Sequence, residues 1–287
     1  MTEVLAPVRH RVALVGAGIA GSLSPALHER ETATLGLDYR YALLDLDTLP
    51  AGFILRDAVE AGMTGFNVTH PVKQAVLDQL DELSPDAGAL GAVNTVLVRE
   101  GRLIGHNTDH SGFLTGLRHG LRGAALDEVA VIGAGGAGSA VAYALAAAGA
   151  AVRVVDADPR RAAALIARLR AALPGADVTP EATAQAALGR ADGVVNASPI
   201  GMTRHPGTPF ATSLLVHRHW VADCVYRPME TALTAAARAR GCRVLDGGAM
   251  LVAQAADAIT LLTGAHPDLD RMQRHLAELT TSGATDV

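Results

Sequence analysis

Three polar side chains that can bind or react with a small polar molecule stand close together in the chain: Asn67, Thr69 and Lys73. Most lysines are solvated surface residues, and Lys73 alone would support only that interpretation. A second polar string, Gly-His-Asn-Thr-Asp, follows a predicted hairpin and ends in Asp109. A carboxylate beside an ammonium group can orient it and share in proton transfer, which is what acid–base chemistry requires. Lys73 and Asp109 are therefore the candidate catalytic pair.

Strands and helices alternate around these residues. A strand predicted over residues 63–68 leads to Pro71, which suits the first turn of a helix continued by residues 74–80. Two further apolar runs, 92–99 and 102–105, flank a Glu-Gly turn and predict a β-hairpin. This alternation, with one antiparallel insertion, predicts an α/β fold with a mostly parallel sheet.

The residues Gly16–Gly21 read GAGIAG, which is the glycine pattern of a dinucleotide-binding loop. That pattern binds a dinucleotide only where a helix opens among its glycines. Here the helix start signal comes later, with Ser24 predicted as the N-cap and Pro25 at the first helical position. We therefore interpret the loop as an imitation, although the next strand does end in Asp45. Ser22 and Ser24 either cap the helix or offer hydroxyls to an anion at its N-terminus.

A second glycine-rich segment, Gly133–Gly138, reads GAGGAG and has the required context. A buried strand is predicted before it at 128–132, an alanine-rich helix after it at 139–148, and the next strand closes on Asp156. The glycines permit a tight turn, so the helix-terminal N–H groups can hold a pyrophosphate. Asp156 or Asp158 can accept hydrogen bonds from ribose hydroxyls and would repel a 2'-phosphate. The sequence predicts a dinucleotide site here.

Composition bounds the class of protein. The chain has 287 residues, enough for two domains, with 49% apolar and 18% charged residues. The formal net charge of -5 includes no basic block, which argues against a nucleic-acid partner. The longest uncharged apolar run, 129–152, is interrupted by glycines and a turn, so no membrane span is predicted.

Histidine and cysteine spacing predicts no metal site. His106 and His110 stand four apart, but a turn-like Asn-Thr pair separates them and no glutamate follows His106. Cys224 and Cys242 lie in apolar surroundings and predict buried thiols of a reducing cytoplasm. The first eleven residues contain no signal-peptide core, which also favours a cytoplasmic location.

Eight strings of the chain, in the right order, resemble the shikimate dehydrogenase family. They are Ser22–Pro25, Asn67–Lys73, Gly91–Thr95, Asn107–Asp109 with Gly112, Gly133–Gly138, Asn196–Met202, Asp223–Pro228 and Gly248–Gln254. Three features resemble the NAD-dependent quinate/shikimate dehydrogenases of actinobacterial type: His70, the pair Asp156 and Asp158, and the string Arg204–Thr208. NADP-dependent relatives carry Asn-Arg-Thr where this chain has Asp-Ala-Asp, so the resemblance implies NAD. Arg160 and Arg161, which follow closely, count against this.

The resemblance implies reversible oxidation of a ring hydroxyl of shikimate or quinate to the 3-dehydro ketone, with hydride passing to NAD and no metal required. Lys73 and Asp109 would handle the hydroxyl proton. The implied substrate contacts are Ser22, Ser24, Thr69, Lys73, Asn94, Asp109, Tyr226 and Gln254. The implied cofactor contacts are Gly133, Gly135, Gly136, Ala137, Gly138, Asp156, Asp158, Arg161, Ser198, Val225, Gly248 and Met250.

Two domains with the active site in the cleft between them are expected. A substrate-binding α/β domain takes residues 1–108 and is completed by helices in 247–287, and a Rossmann-type NAD-binding domain takes 109–246. Two alternatives keep the fold: an aminoshikimate or aminoquinate dehydrogenase, and a non-catalytic ligand-sensing homologue. The sequence leaves open the physiological substrate, the direction of the reaction in the cell, the division of proton transfer between Lys73 and Asp109, and whether the chain forms a homodimer.

Overall fold

A computed structural model describes residues 9–49, 52 and 54–282 of the chain. Expectations for residues 1–8 and 283–287 lie outside the described residues. The structure separates into two compact units: unit 1 holds the described residues up to Thr108 and those from Gln254 onward, and unit 2 holds Asp109–Ala253. The sequence analysis placed the return to the first domain at residue 247, and the domain division itself stays a prediction. Within the described part, no helix is both long and apolar enough to cross a membrane.

Unit 1 is built on a six-stranded sheet in the order β2-β1-β3-β5-β6-β4. Its elements are β1 (Arg9–Gly16), α1 (Ser24–Thr34), β2 (Asp38–Asp45), α2 (Leu55–Glu60), β3 (Gly65–Val68), a 3-10 helix (Ala75–Gln79), β4 (Glu82–Leu83), α3 (Pro85–Leu90), β5 (Thr95–Arg99) and β6 (Arg102–His106). β1 pairs in parallel with β2 and β3, and the predicted hairpin is the antiparallel pair β5–β6. Residues 12–15 of β1 are all buried, as a central parallel strand requires.

Unit 2 is an all-parallel six-stranded sheet in the order β12-β11-β10-β7-β8-β9. Its elements are β7 (Glu128–Ile132), α5 (Gly136–Ala147), β8 (Ala151–Val155), α6 (Pro159–Ala172), β9 (Val178–Pro180), α7 (Ala184–Leu188), β10 (Gly193–Asn196), β11 (Trp220–Asp223), α8 (Ala232–Ala239) and β12 (Arg243–Leu245). The helices α4 (Thr108–Gly120), α9 (Gly247–Thr263) and α10 (Leu269–Ser282) complete the chain. The strand order reverses at β7, which is the topological switch point where dinucleotides bind in Rossmann folds. The predicted α/β class is confirmed.

Two predictions of helix starts were wrong. Pro71 does not open a helix: the His70–Pro71 peptide is cis and a turn runs to the 3-10 helix. The carbonyls of His70 and Lys73 accept hydrogen bonds from the amides of Ala17 and Val93, so these neighbouring segments hold the turn in place of helical amides. Ser24 is the first helical residue rather than the N-cap. Leu23 takes the N-cap position, and no side chain caps this helix.

Candidate active site and dinucleotide loop

The second glycine loop leaves its surface clear at the start of α5. A Cβ atom added to Gly136 would meet nothing within 4 Å, and one added to Gly135 would approach only the Arg161 guanidinium, at 3.4 Å. Gly133 (φ +108°) and Gly138 are instead required by packing, because a Cβ at either would contact backbone atoms. The first amides of a helix lack intrahelical acceptors and attract anions. These glycines therefore fit the pyrophosphate of a dinucleotide.

Two carboxylates lie at the edge of this loop. Asp156 accepts hydrogen bonds from the amides of Ala134 (2.7 Å) and Asp158 (2.9 Å), which leaves further lone pairs on its carboxylate. Asp158 caps α6 and binds the Arg160 guanidinium through both oxygens, at 3.1 and 3.2 Å. The Arg160 side chain holds the pKa of Asp158 below its usual value. Arg160 is thus engaged by Asp158, whereas Arg161 lies near Gly135.

A buried amide–carboxylate pair fixes the loops that follow β10 and β11. The Asn196 amide donates to Asp223 Oδ1 at 2.9 Å, and its oxygen accepts from the Ser198 amide and hydroxyl. Asp223 Oδ1 also accepts from the Val225 amide at 3.0 Å, and burial raises the pKa of this carboxyl. Ser198 and Val225, both predicted cofactor contacts, are therefore held by a common pair. Asn196 and Asp223 open two of the strings named in the sequence analysis, and each ends an apolar strand, but neither was among the predicted site residues.

The remaining predicted residues of unit 2 lie at the starts of two helices or beside one of them. Asp109 is in the first turn of α4 and only 5% exposed. The Gly248 amide donates to Asp246 Oδ1 at 3.1 Å in the first turn of α9, where Met250 is half-buried. A Cβ at neighbouring Gly247 would meet the backbone of Val225 and Tyr226, so this turn packs against the segment that carries Tyr226.

A chain of hydrogen bonds joins the polar strand ends of unit 1. The Asn67 amide donates to Thr95 Oγ1 (3.1 Å), and this hydroxyl donates to Asn94 Oδ1 (3.1 Å). Asn94 is 4% exposed, accepts from the Thr108 amide at 2.7 Å and lies 3.5 Å from Gln254 Oε1. The structure thus brings Asn94 and Gln254 together, as the predicted ring-hydroxyl contacts require. Asn67 belongs to the same series of hydrogen bonds and was not among the predicted substrate contacts.

The predicted carboxylate-binding serines stand beside a buried tyrosine. Ser22 Oγ accepts a hydrogen bond from the Ser24 amide at 3.2 Å. Burial raises the pKa of the Tyr41 phenol, and the neighbouring Ser24 side chain acts against that rise. Tyr41 in turn donates to Asn67 Oδ1 at 2.9 Å. Sequence reasoning missed Tyr41; the signal was a strand tyrosine on a buried face, where the hydroxyl must find a partner.

Lys73 is the only lysine in the chain; the other 23 of its 24 Lys and Arg residues are arginines. Its side chain is half-buried, and its carbonyl accepts from the Val93 amide at 2.8 Å, which ties it to the start of β5. A lysine amine can serve as a general base in proteins, whereas a guanidinium stays protonated. Lys73 belongs to unit 1 and Asp109 to unit 2, and their partnership stays a prediction.

Three backbone amides of the first glycine loop donate hydrogen bonds within the protein. Asp45 accepts from the amides of Gly18 and Ile19, each at 3.0 Å, and the Ala17 amide donates to the carbonyl of His70 at 3.1 Å. A Cβ at Gly16 would contact the Thr69 methyl group. Among the described residues, no group of three His, Cys, Asp or Glu could hold a metal ion.

Comparisons with known proteins agree with this arrangement. Residues 14–96 match the model of the shikimate dehydrogenase substrate binding domain, and residues 129–219 match the TrkA-N domain. A shikimate dehydrogenase (NADP(+)) of Pseudarthrobacter chlorophenolicus is 53% identical, with 93% of this chain and 94% of that protein covered. The chain belongs to the shikimate dehydrogenase family. It is therefore a nicotinamide dinucleotide-dependent oxidoreductase of the shikimate/quinate dehydrogenases.

Relatives within the shikimate dehydrogenase family differ in cofactor. A quinate/shikimate dehydrogenase (NAD(+)) of Corynebacterium efficiens is 47% identical over 91% of this chain and 95% of its own length. The solved quinate dehydrogenase of Corynebacterium glutamicum in complex with NAD has a TM-score of 0.88 and 44% identity, covering 94% of this chain and 99% of that one. The predicted family and fold are confirmed, and the family relatives include NAD- and NADP-dependent enzymes.

Proposed function

We propose that this chain is an NAD-dependent quinate/shikimate dehydrogenase, which oxidises a ring hydroxyl of shikimate or quinate to the ketone. The observation that carries the cofactor assignment is the pair of carboxylates, Asp156 and Asp158, beside the glycine loop. A 2'-phosphate adds nearly two negative charges, and each would face these carboxylates at short range. Arg160 is already bound to Asp158. Arg161 is the one guanidinium described near Gly135, and it sets the residual acceptance of NADP.

The substrate is proposed to be a polyol acid because its predicted contacts are hydroxyls, amides and charges. Ser22 and Ser24 stand at the N-terminus of α1, where partial positive charge favours a carboxylate. Thr69, Asn94 and Gln254 would hold ring hydroxyls, together with Asp109 and Tyr226 from unit 2. A buried polar group left without its partner is costly, so a ligand lacking these hydroxyls would be rejected.

The proposed chemistry assigns Lys73 and Asp109 to the proton of the reacting hydroxyl. The bound dinucleotide would supply the hydride acceptor. As the hydride leaves carbon, the hydroxyl must lose its proton to a nearby base. Lys73 supplies an amine for that proton, and Asp109 would orient the amine and bind the same hydroxyl. The presence of a single lysine among 23 arginines is consistent with this role, since only lysine offers an amine that can exchange a proton.

The first test is the near-ultraviolet absorbance of reduced nicotinamide with purified protein, with NAD and NADP each tried against shikimate and quinate. We expect reduction of NAD with at least one acid, and the faster acid names the substrate. Turnover with NADP alone would contradict the argument from Asp156 and Asp158. No reduction of NAD or NADP with either acid would contradict the proposed function and favour an amino-substituted substrate or a ligand-sensing role.

The catalytic assignment is tested with Lys73→Arg, which keeps the charge and removes the exchangeable amine. We expect kcat to fall about 10²–10⁴-fold, as for loss of a general acid–base group. Asp109→Asn should lower kcat with the NAD KM unchanged. Because Lys73 is the only lysine, protein labelled with ¹⁵N in lysine gives a single side-chain amine signal. That signal should respond to substrate binding, and a signal that is insensitive to substrate would argue against contact.

The cofactor assignment is tested with Asp158→Asn, which removes one carboxylate and releases Arg160. We expect kcat/KM with NADP to rise about tenfold relative to NAD, which corresponds to roughly 1.4 kcal/mol. Asp47→Asn makes the same change of charge beside the other glycine loop and should leave this ratio unchanged. An unchanged ratio in Asp158→Asn would mean that Asp158 does not select the cofactor.

The proposed setting is the cytoplasm, with the polyol acid and the dinucleotide as the ligands. Cys224 and Cys242 are both free thiols, and burial raises the pKa of each above its usual value. Thiols that resist ionisation are unreactive, which suits a reducing compartment. Homodimer formation is left open.

A further inference from the structure

Asp45 lies at the end of β2 and binds the first glycine loop through both carboxylate oxygens. Oδ1 accepts from the amides of Gly18 (3.0 Å) and Asp47 (3.1 Å), and Oδ2 accepts from the Ile19 amide (3.0 Å). These amides hold the pKa of Asp45 below its usual value, so the carboxylate is ionised at neutral pH. One side chain thus gathers three backbone donors that otherwise would face solvent.

The loop held by Asp45 carries Ser22. The Ile19 residue that donates its amide to Asp45 also accepts, through its carbonyl, the amide of Ser22 at 2.9 Å. Ser22 Oγ then accepts the amide of Ser24 at the start of α1. Two hydrogen bonds therefore lead from Asp45 to the backbone of Ser22, and a third leads on to Ser24.

The other side of the same loop rests on the turn that carries Thr69. The Ala17 amide donates to the His70 carbonyl, the Thr69 amide donates to the Val15 carbonyl at 2.9 Å, and Gly16 packs against the Thr69 methyl group. Gly16 pairs with Asp45 in the register of β1 and β2, and its carbonyl accepts the Leu46 amide at 2.8 Å. The loop is thus fixed between Asp45 on one side and Thr69 on the other.

We propose that Asp45 is a positioning residue for the acid substrate: it holds the Gly16–Gly21 loop so that Ser22 and Thr69 stand correctly for binding. This inference rests on the proposed function, which gives Ser22 the substrate carboxylate and Thr69 a ring hydroxyl. It assigns a use to the glycine pattern that imitates a dinucleotide loop. The pattern supplies amides for an internal carboxylate and, at Gly16, room for Thr69.

The test compares Asp45→Ala, which removes both acceptor oxygens and all three hydrogen bonds, with Asp45→Asn, which can keep the two bonds to Oδ1 and loses the one from Ile19. We expect KM for the acid to rise about tenfold in Asp45→Ala and about threefold in Asp45→Asn, as for the loss of a few partly exposed hydrogen bonds. The KM for NAD and kcat should stay within about twofold of wild type, because Asp45 touches neither ligand.

Asp47→Asn is the matched control, since it removes the same charge two residues away and leaves the Asp47 backbone amide free to donate to Asp45 Oδ1 as before. We expect no change in the acid KM there. A double-mutant cycle with Ser22→Ala measures the coupling between the two residues in the acid KM. A purely structural role of Asp45 would give no such coupling. If Asp45 acts through Ser22, the effect of Asp45→Ala shrinks in the Ser22→Ala background.

The outcomes separate the two proposals. A wild-type chain that oxidises neither acid overturns the proposed function and this inference with it. A wild-type chain that is active, with an acid KM unchanged in Asp45→Ala, overturns the inference alone. Equal rises in the acid and NAD KM values, or full additivity with Ser22→Ala, would show a general structural role and also overturn it.

Discussion

Two loops of this chain carry almost the same letters, GAGIAG at Gly16–Gly21 and GAGGAG at Gly133–Gly138. Each follows a parallel strand, and in each an aspartate at the end of the neighbouring strand accepts loop amides: Asp45 in the first and Asp156 in the second. The difference lies in the helix. In the second loop α5 begins at Gly136, among the glycines, whereas in the first α1 begins only at Ser24.

That difference decides what the amides can bind. The first turn of α5 keeps amides that no intrahelical carbonyl accepts, and they open onto clear space at Gly136. In the first loop the amides of Gly18 and Ile19 are already bound by Asp45. The glycine pattern thus provides only the space for a ligand to approach the backbone. The position of the helix start decides whether an external anion can bind there.

Among the substitutions in the two glycine loops, Gly138→Ala has the largest expected effect. Its Cβ would collide with the Gly133 carbonyl, whose residue is itself held by a hydrogen bond from its amide to the Val155 carbonyl. Overpacking of this kind costs about 1–3 kcal/mol, so we expect the NAD KM to rise about tenfold to a hundredfold. Kinetics at saturating acid measure this, with the melting temperature as the check on folding. Unchanged NAD KM would show that the loop does not hold the cofactor.

Gly16→Ala is the counterpart in the first loop and should raise the acid KM instead of the NAD KM. The added methyl would displace the Thr69 methyl group and press on the His70 carbonyl, 2.9 Å away. We expect the acid KM to rise about tenfold, which corresponds to roughly 1.4 kcal/mol, while the NAD KM stays unchanged. Initial rates with each substrate varied in turn measure both. A rise in the NAD KM would place the cofactor at the first loop and invert the comparison.

Gly136→Ala sharpens the comparison because nothing in the protein opposes the new methyl group. In a helical position the change should stabilise the free protein by about 0.4–1 kcal/mol. If the dinucleotide lies over this glycine, NAD binding should weaken several-fold at the same time. Thermal melting with and without NAD measures both effects. Stabilisation with unchanged NAD affinity would move the pyrophosphate away from Gly136.

The smallest expected effect is a dependence of stability on pH from Asp45 and Asp158. Backbone amides lower the pKa of Asp45, and the Asp47 amide contributes most. The Arg160 side chain lowers the pKa of Asp158. A depressed pKa stabilises the folded state above the ordinary value of 3.8, and this contribution is lost as the pH falls through the folded value. We expect the melting temperature to fall below about pH 4. Asp45→Asn and Asp158→Asn should each flatten part of that fall.

Much of the fold could be predicted because its signals are local. The buried strand before Gly133, the helix after it and the aspartate that closes the next strand stand within 30 residues, and period and spacing suffice to recognise them. The prediction for Pro71 failed because the neighbouring carbonyls bind Ala17 and Val93, which are distant in the sequence. The N-cap prediction for Ser24 was wrong because the helix begins one residue earlier than expected, with Leu23 at the N-cap and no side chain capping it.

Residue types at short spacing were enough to predict the α/β class, the glycine-rich turn before α5 and the order of the polar strings. The sequence also set Lys73 apart as the only lysine. Only the tertiary structure decided which polar groups share partners: Asn94 with Gln254, Asn196 with Asp223, and Asp45 with the first glycine loop. The physical reason is that a buried or loop-held polar group must find a hydrogen-bond partner, and strand order, not sequence spacing, chooses that partner.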